Sequence, residues 1–383
     1  MSDEKETKPV VLTLITHHSS LITHHFPSMH ISEFDYELPE ELIAQHPLGR
    51  RDASRMLVLS RDAGSWRDGS FSEFPSELRE GDCVAVNNTR VFPARLEGRR
   101  EPTGGRVELL LVRRRGDLGG ETWEALARPA RRLDAGARLT FGEGRLSAEV
   151  LSATEDGARR VVRFETSDAG GDFAALLEEL GRMPLPPYIK REGDDLASRD
   201  EDRERYQTVY AASPGAIAAP TAGLHFTPEV FARLRERGVR VAELTLHVGY
   251  GTFAPVRAED LSSHSVAPES FEISEEAADA LNEARARGGR VVAVGTTTVR
   301  ALESSAGGRG RISSGRGETG LTITPGYGFR AVDAMLTNFH LPRSSLLVLV
   351  SAFAGRELAL AAYRHAVAAR YRFYSYGDCV LVV

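Results

Sequence analysis

Short β-rich runs separated by Gly-containing breaks fill the chain between Asp82 and Glu165. In chain order the runs are Cys83 to Val86, Val107 to Val112, Thr122 to Ala127, Arg138 to Phe141, Leu146 to Leu151 and Arg160 to Phe164. Short strands at regular spacing, with turn signals between them, are typical of a small barrel or sandwich. The pattern therefore predicts a small β domain over residues 82–165.

Beyond Phe226 the pattern changes to alternating helices and strands. Thr227, Pro228 and Glu229 form a helix start, with a capping hydroxyl and a proline at the first helical position, and Gly238 ends the helix. Further elements are predicted as a strand from Val239 to His247, a helix from Ser274 to Gly288, strands at Val291 to Val294 and Leu346 to Val350, and a helix from about Glu357 to Ala369. Strand and helix alternation of this kind favours parallel pairing with right-handed crossovers.

These elements predict an α/β fold. Its sheet is expected to be mixed and largely parallel, with helices on both faces, and to carry the β-rich segment as an inserted small antiparallel barrel domain. Residues 29–81 and 166–383 are assigned to the α/β catalytic domain and 82–165 to the barrel. Residues 191–205 are dense in charge without apolar periodicity, which indicates a mobile surface loop.

The first 28 residues differ in composition from the rest of the chain. They contain no Arg and no Gly, and the sequence LITHH occurs at residues 14–18 and again at 21–25. A short repeat without a surrounding fold favours a disordered or non-native extension, with Met29 as the expected start. Paired histidines could bind a metal, but inert disorder is the simpler interpretation.

Composition limits the classes of protein. The net charge of −6 excludes a polycation, so an RNA partner would need a local patch. Leu346 to Ala354, the longest apolar run, is far shorter than the ~20 residues of a membrane span. Two cysteines, Cys83 and Cys379, are too few for a disulfide framework, which favours a reducing, cytoplasmic setting.

The β-rich segment holds 16 Arg against 13 acidic residues. Its clusters at residues 99–100, 113–115 and 131–132 could contact phosphates, or could protect a strand edge with charge. The excess of Arg over Lys in the whole chain fits phosphate recognition, and also fits a GC-rich genome.

Two polar turns follow predicted strands, where ligands collect in parallel sheets. One runs from His247 through Gly249, Tyr250 and Gly251, and the other is Gly295, Thr296, Thr297, Thr298, Val299 and Arg300. A Gly followed by three Thr offers backbone N–H groups and hydroxyls to a polar ligand. Helix capping is the alternative, although capping needs one Thr rather than three.

Histidines occur in three turn contexts. They are His225 in PTAGLHFT, His247, and His340 in TNFHLP, which also contains Asn338. No HExxH or closely spaced His and carboxylate set indicates a metal site, and no P-loop, GxSxG or GxGxxG motif is present. The tail YRFYSYGD (371–378) combines aromatics with an Arg and ends at Asp378; Tyr376 and its neighbours could stack on a nucleobase, or form a docked terminal strand.

Taken together these motifs resemble the S-adenosylmethionine:tRNA ribosyltransferase-isomerase family of queuosine biosynthesis. The resemblance runs from about Met29 to the C-terminus and rests on FDYELP (34–39), IAQHP (43–47), residues 50–59, NNTRV (87–91), PARL (93–96), MPLPPY (183–188), YQTVY (206–210), PTAGLHFT (220–227), HVGYGTF (247–253), VGTTTVRALE (294–303), TNFHLPRSSLL (337–347) and YRFYSYGD. One segment departs from it: the family often reads H-x-M-H where this chain has His264, Ser265, Val266 and Ala267. A role for the second histidine is not carried over.

The resemblance implies transfer and isomerisation of the ribosyl group of S-adenosylmethionine onto 7-aminomethyl-7-deazaguanine at the tRNA wobble position. It implies no cofactor and no metal, with tRNA and S-adenosylmethionine as partners of a cytoplasmic monomer. We expect catalysis from His225, His247, His340 and Asp378, and substrate binding from Gly249, Tyr250, Gly251, Gly295, Thr296, Thr297, Thr298, Arg300, Asn338 and Tyr376. RNA binding is expected from Arg90, Arg95, Arg113, Arg114 and Arg115. The residue pattern leaves open which histidine is acid or base.

Two other classes compete with this interpretation. A methyltransferase would also use S-adenosylmethionine, but its Gly-rich loop and acidic ribose ligand are missing. A non-catalytic RNA-binding module would explain the arginines and aromatics, but not the His and Thr turns.

Overall fold

The computed structural model describes residues 29–155, 157–167, 171–191, 196–249 and 259–383. The predicted extension at residues 1–28 and the candidate residues Tyr250 and Gly251 lie outside these ranges.

The strands are β1 (Arg55–Ser60), β2 (Ser65–Ser70), β3 (Cys83–Asn87), β4 (Thr89–Val91), β5 (Arg95–Arg100), β6 (Gly105–Arg114), β7 (Glu121–Arg128), β8 (Arg138–Phe141), β9 (Leu146–Ala153), β10 (Arg160–Thr166), β11 (Ser213–Ala216), β12 (Arg240–Leu246), β13 (Glu269–Ile273), β14 (Val291–Val294), β15 (Gly315–Thr319), β16 (Ala334–Asn338) and β17 (Cys379–Val382). The α-helices are α1 (Phe74–Glu77), α2 (Phe173–Leu180), α3 (Leu196–Arg205), α4 (Pro228–Glu236), α5 (Glu275–Ala286), α6 (Thr296–Ser305), α7 (Ser345–Ala354) and α8 (Arg356–Ala368).

Nine strands form a mixed sheet in the order β15, β13, β12, β3, β14, β16, β17, β1, β2. The pairs β12–β3, β3–β14, β14–β16 and β17–β1 are parallel, and the other four are antiparallel. The expected mixed sheet is confirmed, but half of its strand pairs, rather than most of them, are parallel. The difference arises because β17 returns antiparallel beside β16, and because β2, β13 and β15 add antiparallel pairs toward the two edges.

Six strands, β5 to β10, close into an antiparallel barrel in the order β10, β7, β6, β5, β8, β9. Leu96, Leu109, Leu111 and Val150 lie buried in its core. The predicted first barrel strand, Cys83 to Val86, lies elsewhere: as β3 it occupies the middle of the large sheet between β12 and β14. Its fully buried apolar sequence is that of a central strand, as in β14.

Alternate residues of β3 pack into two different apolar clusters. Cys83 and Ala85 belong to the cluster that includes residues of α5, α6, α7 and α8. Val84 and Val86 belong to the cluster that includes residues of α1 and α4. Successive side chains of a strand point to opposite faces, so each cluster marks one face of the sheet.

The predicted helix caps are confirmed. The Thr227 side chain accepts from the N–H of Val230 at the start of α4, and Ser274 accepts from Ala277 at the start of α5. Gly238 follows α4 with φ +71°, a backbone conformation that favours glycine.

Two segments differ from their predicted structure. Leu346 to Val350 is part of helix α7, whose Ser344 cap accepts from the N–H of Leu347. A short run buried on all sides shows no helical period, so the sequence pattern favoured a strand. Within residues 191–205, Leu196–Arg205 forms helix α3 rather than a loop, and its salt bridge from Asp202 to Arg191 is partly buried.

Among the described residues no single helix is long and apolar enough to cross a membrane; α7 and α8, bent 117° to one another, pass that test only as a pair.

Candidate active site

A cleft opens where β14 and β16 end. Its walls include Thr221, Gly295, Thr296, Thr297, Thr337, Asn338, His340, Tyr374 and Ser375, together with Tyr188. The free volume is about 30 Å³, enough for roughly two waters. Side chains along the cleft must therefore separate before a ligand as large as a nucleoside can enter.

Gly295 turns the chain from β14 into α6. Its φ of +89° is a conformation that a side chain would strain, and its N–H donates to Leu336 O at 2.8 Å. The Thr298 hydroxyl donates back to Val294 O at 2.6 Å, so this threonine supports the turn. Thr296 and Thr297, both buried, line the cleft at the N-terminus of α6. The structure thus gives the three threonines different positions, and two of them reach the cleft.

Asn338 joins the cleft to His225. The Asn338 Nδ2 lies 3.1 Å from Tyr374 O and 3.2 Å from His225 Nε2. A carbonyl oxygen only accepts, so the amide nitrogen must face it, and His225 Nε2 is then the acceptor of the second hydrogen. The Asn338 side chain is 2% exposed, and its Oδ1 has no hydrogen-bond partner among the described residues. A buried acceptor left unpaired beside a cleft can receive a ligand N–H or O–H.

His225 is held at both ring nitrogens. Because Nε2 accepts from Asn338, Nδ1 carries the proton and donates to Ser54 Oγ at 2.9 Å. Burial, with the Arg372 and Arg51 charges, lowers its pKa to about 4. His225 is therefore neutral near pH 7, with its lone pair engaged by Asn338.

His340 presents a nitrogen that is not engaged. Its Nε2 lies 2.9 Å from Thr337 Oγ1, whereas Nδ1 makes no hydrogen bond to the residues that the structure describes. Burial lowers its pKa to about 3, so the ring is neutral at physiological pH. Of the candidate histidines, His340 is the one that lines the cleft directly.

The two buried histidines predict a pH dependence of stability. Each binds its proton less readily when folded than in the unfolded chain, where the pKa is near 6.5. Their contribution to stability is complete above pH 6.5 and is lost as the pH falls toward 4, by up to about 1.4 kcal/mol per pH unit for each. We expect the free energy of unfolding, measured with urea between pH 7 and 4.5, to decrease less steeply with falling pH for His225→Gln than for the wild type. An equal dependence on pH in the two proteins would contradict this.

Three predicted site residues lie away from the cleft. His247 packs on Gly215, with its Nδ1 2.8 Å from Thr89 Oγ1, and burial lowers its pKa. Asp378 accepts from the backbone N–H groups of Arg55 and Arg372 and from the Arg55 side chain. Tyr376 lines a different pocket, which Ser375 also lines, and its ring packs edge-on against Tyr206.

Arg300 is committed to protein groups. Its guanidinium bonds Glu269 at 2.6 Å and the carbonyl oxygens of Leu321 and Thr319, and both ion-pair side chains are 4% exposed. The other Glu269 oxygen accepts from Gly249 N–H at 2.8 Å. Arg300 therefore holds Glu269, which in turn holds the backbone of the turn after β12, and the Arg300 guanidinium is not free to bind a ligand.

The predicted RNA-binding arginines differ in exposure and in their acidic partners. Arg90 and Arg113 are exposed, and Arg95 lies 3.3 Å from Glu108. Arg114 pairs with Glu121, and Arg115 with Asp117 and Glu124. Acid partners at three of the five reduce the positive charge that remains for phosphates.

Sequence reasoning missed Ser54, Tyr188, Tyr374 and Ser375 as site residues. Tyr188 and Ser375 share a hydrogen bond of 2.6 Å between their hydroxyls, and the rings of Tyr188 and Tyr374 meet edge-on. The signal was present, since MPLPPY and YRFYSYGD were both singled out, but the residues that meet are far apart in the chain.

Comparison with known proteins decides the family. The model of a family described as queuosine biosynthesis protein matches residues 31–382. A relative from Pelotomaculum thermopropionicum is 51% identical over 93% of this chain and 100% of its own, and one from Moorella thermoacetica is 52% identical over the same shares. Both are named S-adenosylmethionine:tRNA ribosyltransferase-isomerase. The chain belongs to this family.

Membership in the ribosyltransferase-isomerase family makes the chain an enzyme, a transferase. A crystal structure of S-adenosylmethionine tRNA ribosyltransferase from Thermotoga maritima is similar, with a TM-score of 0.51 and 38% identity over 92% of this chain and 100% of that one. The family resemblance read from the motifs is thereby confirmed.

Proposed function

We propose that this enzyme transfers the ribosyl group of S-adenosylmethionine to 7-aminomethyl-7-deazaguanine at the wobble position of tRNA and isomerises it, giving epoxyqueuosine-tRNA, adenine and methionine. S-adenosylmethionine is a substrate in this reaction, and no cofactor takes part. The observation that carries the proposal is the cleft itself, which brings together Thr296, Thr297, Asn338 and His340 from separate motifs. The relatives that this chain matches over their whole length are named S-adenosylmethionine:tRNA ribosyltransferase-isomerase.

The cleft groups suit the polar parts of S-adenosylmethionine. The N-terminus of α6 offers backbone N–H groups beside two threonine hydroxyls, a setting that favours polar or anionic groups. Asn338 Oδ1 is buried and has no partner in the described part of the chain, so it can accept a hydrogen bond from a ribose hydroxyl or an adenine amino group.

His340 is assigned as the base. The sulfonium acidifies the ribose C5′ protons, and the neutral His340 imidazole, whose Nδ1 makes no hydrogen bond among the described residues, can remove one of them. The incoming aminomethyl group must lose a proton before its nitrogen attacks, and the departing adenine must gain a proton or strong hydrogen bonds. His225, with both nitrogens engaged, holds Asn338 in place and is assigned as a positioning residue.

Product analysis tests the proposal. The enzyme is incubated with S-adenosylmethionine and tRNA that carries the aminomethyl base, and the small molecules are separated. Free adenine and methionine, with mass gained by the wobble nucleotide, are expected. S-adenosylhomocysteine would instead identify a methyltransferase, and unchanged S-adenosylmethionine with bound RNA a binding module. Either of these outcomes would overturn the proposal.

A further inference from the structure

A second pocket lies on the other side of His225 from Asn338. Ser54, which accepts from His225 Nδ1, lines it together with Arg50, Arg51 and Arg205. Ser375 lines both this arginine pocket and the cleft. The two cavities are therefore neighbours, separated by the His225 and Asn338 side chains.

Two arginines of the arginine pocket, Arg51 and Arg205, donate to carbonyl oxygens and have no salt-bridge partner among the described residues. Arg51 donates to the carbonyl oxygens of Leu224 and Glu204, and Arg205 to those of Leu48 and Gly49. Among the described residues no carboxylate lies within salt-bridge distance of either guanidinium, whereas Arg50 pairs with Asp52. Burial and the nearby Arg205 charge lower the pKa of Arg51, and the Glu204 carboxylate opposes this shift only in part.

Arg372 adds to this charge. Its Nη2 donates to His46 O, and its Nη1 is buried with no hydrogen-bond partner in the described part of the chain. The Arg372 and Arg51 charges both lower the pKa of His225, so both guanidinium groups lie near that ring. Arg372 is thus a further guanidinium near His225, although the Asp378 carboxylate offsets part of its charge.

The ligand class follows from charge. The pocket volume is about 20 Å³, so here, as in the cleft, side chains must separate before a group larger than a water molecule can enter. Arginine forks match the paired oxygens of phosphate in geometry and in charge. We propose that the arginine pocket binds a phosphodiester group of the RNA chain beside the nucleotide that is modified.

This inference rests on the proposed function, because that function supplies the RNA. It adds a contact that positions the RNA. A phosphate bound at Arg51 and Arg205 would fix the RNA backbone next to the cleft, so that the wobble base can enter the cleft beside Asn338 and His340. The carboxylate of S-adenosylmethionine is the competing small oxyanion, and the experiment separates the two.

The test pairs a protein charge with an RNA charge. An anticodon stem-loop RNA with the aminomethyl base is compared with the same RNA made neutral by methylphosphonate at the linkages flanking that base. Neutralisation should weaken wild-type binding about tenfold or more. Arg51→Gln and Arg205→Gln should each weaken binding of the charged RNA by about the same factor, with a salt dependence shallower by about one ion. Neither substitution should weaken binding of the neutral RNA much further.

Controls fix the interpretation. Arg316→Gln removes an exposed arginine on β15, paired with Glu272, and should behave as the wild type. Arg51→Lys keeps the charge and should retain part of the affinity. Titration with S-adenosylmethionine alone should give the same affinity in every variant.

Several results would overturn the inference. One is that Arg51→Gln weakens binding of the neutral RNA by the same factor as binding of the charged RNA. Another is that Arg316→Gln weakens RNA binding as much as Arg51→Gln does. A third is weakened S-adenosylmethionine binding with intact RNA binding, which would identify the carboxylate of S-adenosylmethionine as the ligand of the arginine pocket. If the glutamine variants do not fold, unchanged wild-type affinity for the neutral RNA alone refutes it. Adenine release by the wild type, measured separately, shows whether the proposed function fails instead.

Discussion

Asn338→Asp is expected to lower the rate of adenine release by about 100-fold or more, the scale associated with groups that act on reacting atoms. The substitution changes one amide nitrogen to an oxygen. That nitrogen now donates to Tyr374 O and to His225 Nε2, and an oxygen can donate to neither. A carboxylate there also repels the Tyr374 carbonyl and draws a proton onto His225.

The same substitution should raise the pKa of His225 from its low value, because the charged imidazole gains an anionic partner. An NMR titration that follows the ring-proton shifts of the histidines against pH measures this pKa directly. The matched control is Asn282→Asp, since Asn282 likewise donates to a backbone carbonyl, that of Ile312, away from the cleft. Loss of stability alone would appear in both variants. An unchanged rate and an unchanged His225 titration in Asn338→Asp would show that this amide neither orients His225 nor serves the reaction.

The sequence was sufficient for elements whose signals are local. Thr227 and Ser274 cap helices because a hydroxyl before an apolar-periodic segment satisfies backbone N–H groups in any context. Cys83 to Val86 and Leu346 to Val350 carry the same signal, a short apolar run, yet one is a central strand and the other a helix. Periodicity cannot separate these cases when burial is complete, so their assignment depends on the tertiary structure.

Among the candidate site residues, too, those with local sequence signals were predictable and those whose roles depend on tertiary contacts were not. Thr297 reaches the cleft from a turn that was predicted to follow a buried strand, whereas Asn338 ends β16 and His340 follows it, and the sequence pattern did not predict that strand. The roles of Asp378 and Arg300 were not readable, because an isolated Asp or Arg in a motif gives no information about its partners. Asp378 is occupied by Arg55 and the Arg372 backbone, and Arg300 by Glu269. Both assignments required contacts between residues distant in the chain.

Substitutions at the Arg300–Glu269 pair are expected to affect stability first and ligand binding second. Glu269→Gln leaves the Arg300 charge buried without its anion, which should lower the free energy of unfolding by about 3–5 kcal/mol. Arg300→Lys keeps the charge but cannot reproduce the fork that also bonds Thr319 O and Leu321 O, so it should be destabilising as well. Denaturant unfolding measures both.

Both variants should then also weaken S-adenosylmethionine binding, since Glu269 anchors the Gly249 N–H at the turn after β12. Glu283→Gln is the matched control, because Glu283 forms an exposed pair with Arg240 that should contribute no more than about 1 kcal/mol. The alternative, direct contact between Arg300 and a ligand, predicts the opposite pattern: Arg300→Lys would lose affinity with near-normal stability, and Glu269→Gln would retain affinity. The ratio of the two losses therefore decides whether Arg300 contacts a ligand or positions the turn that does, and the buried hydrogen bonds favour positioning.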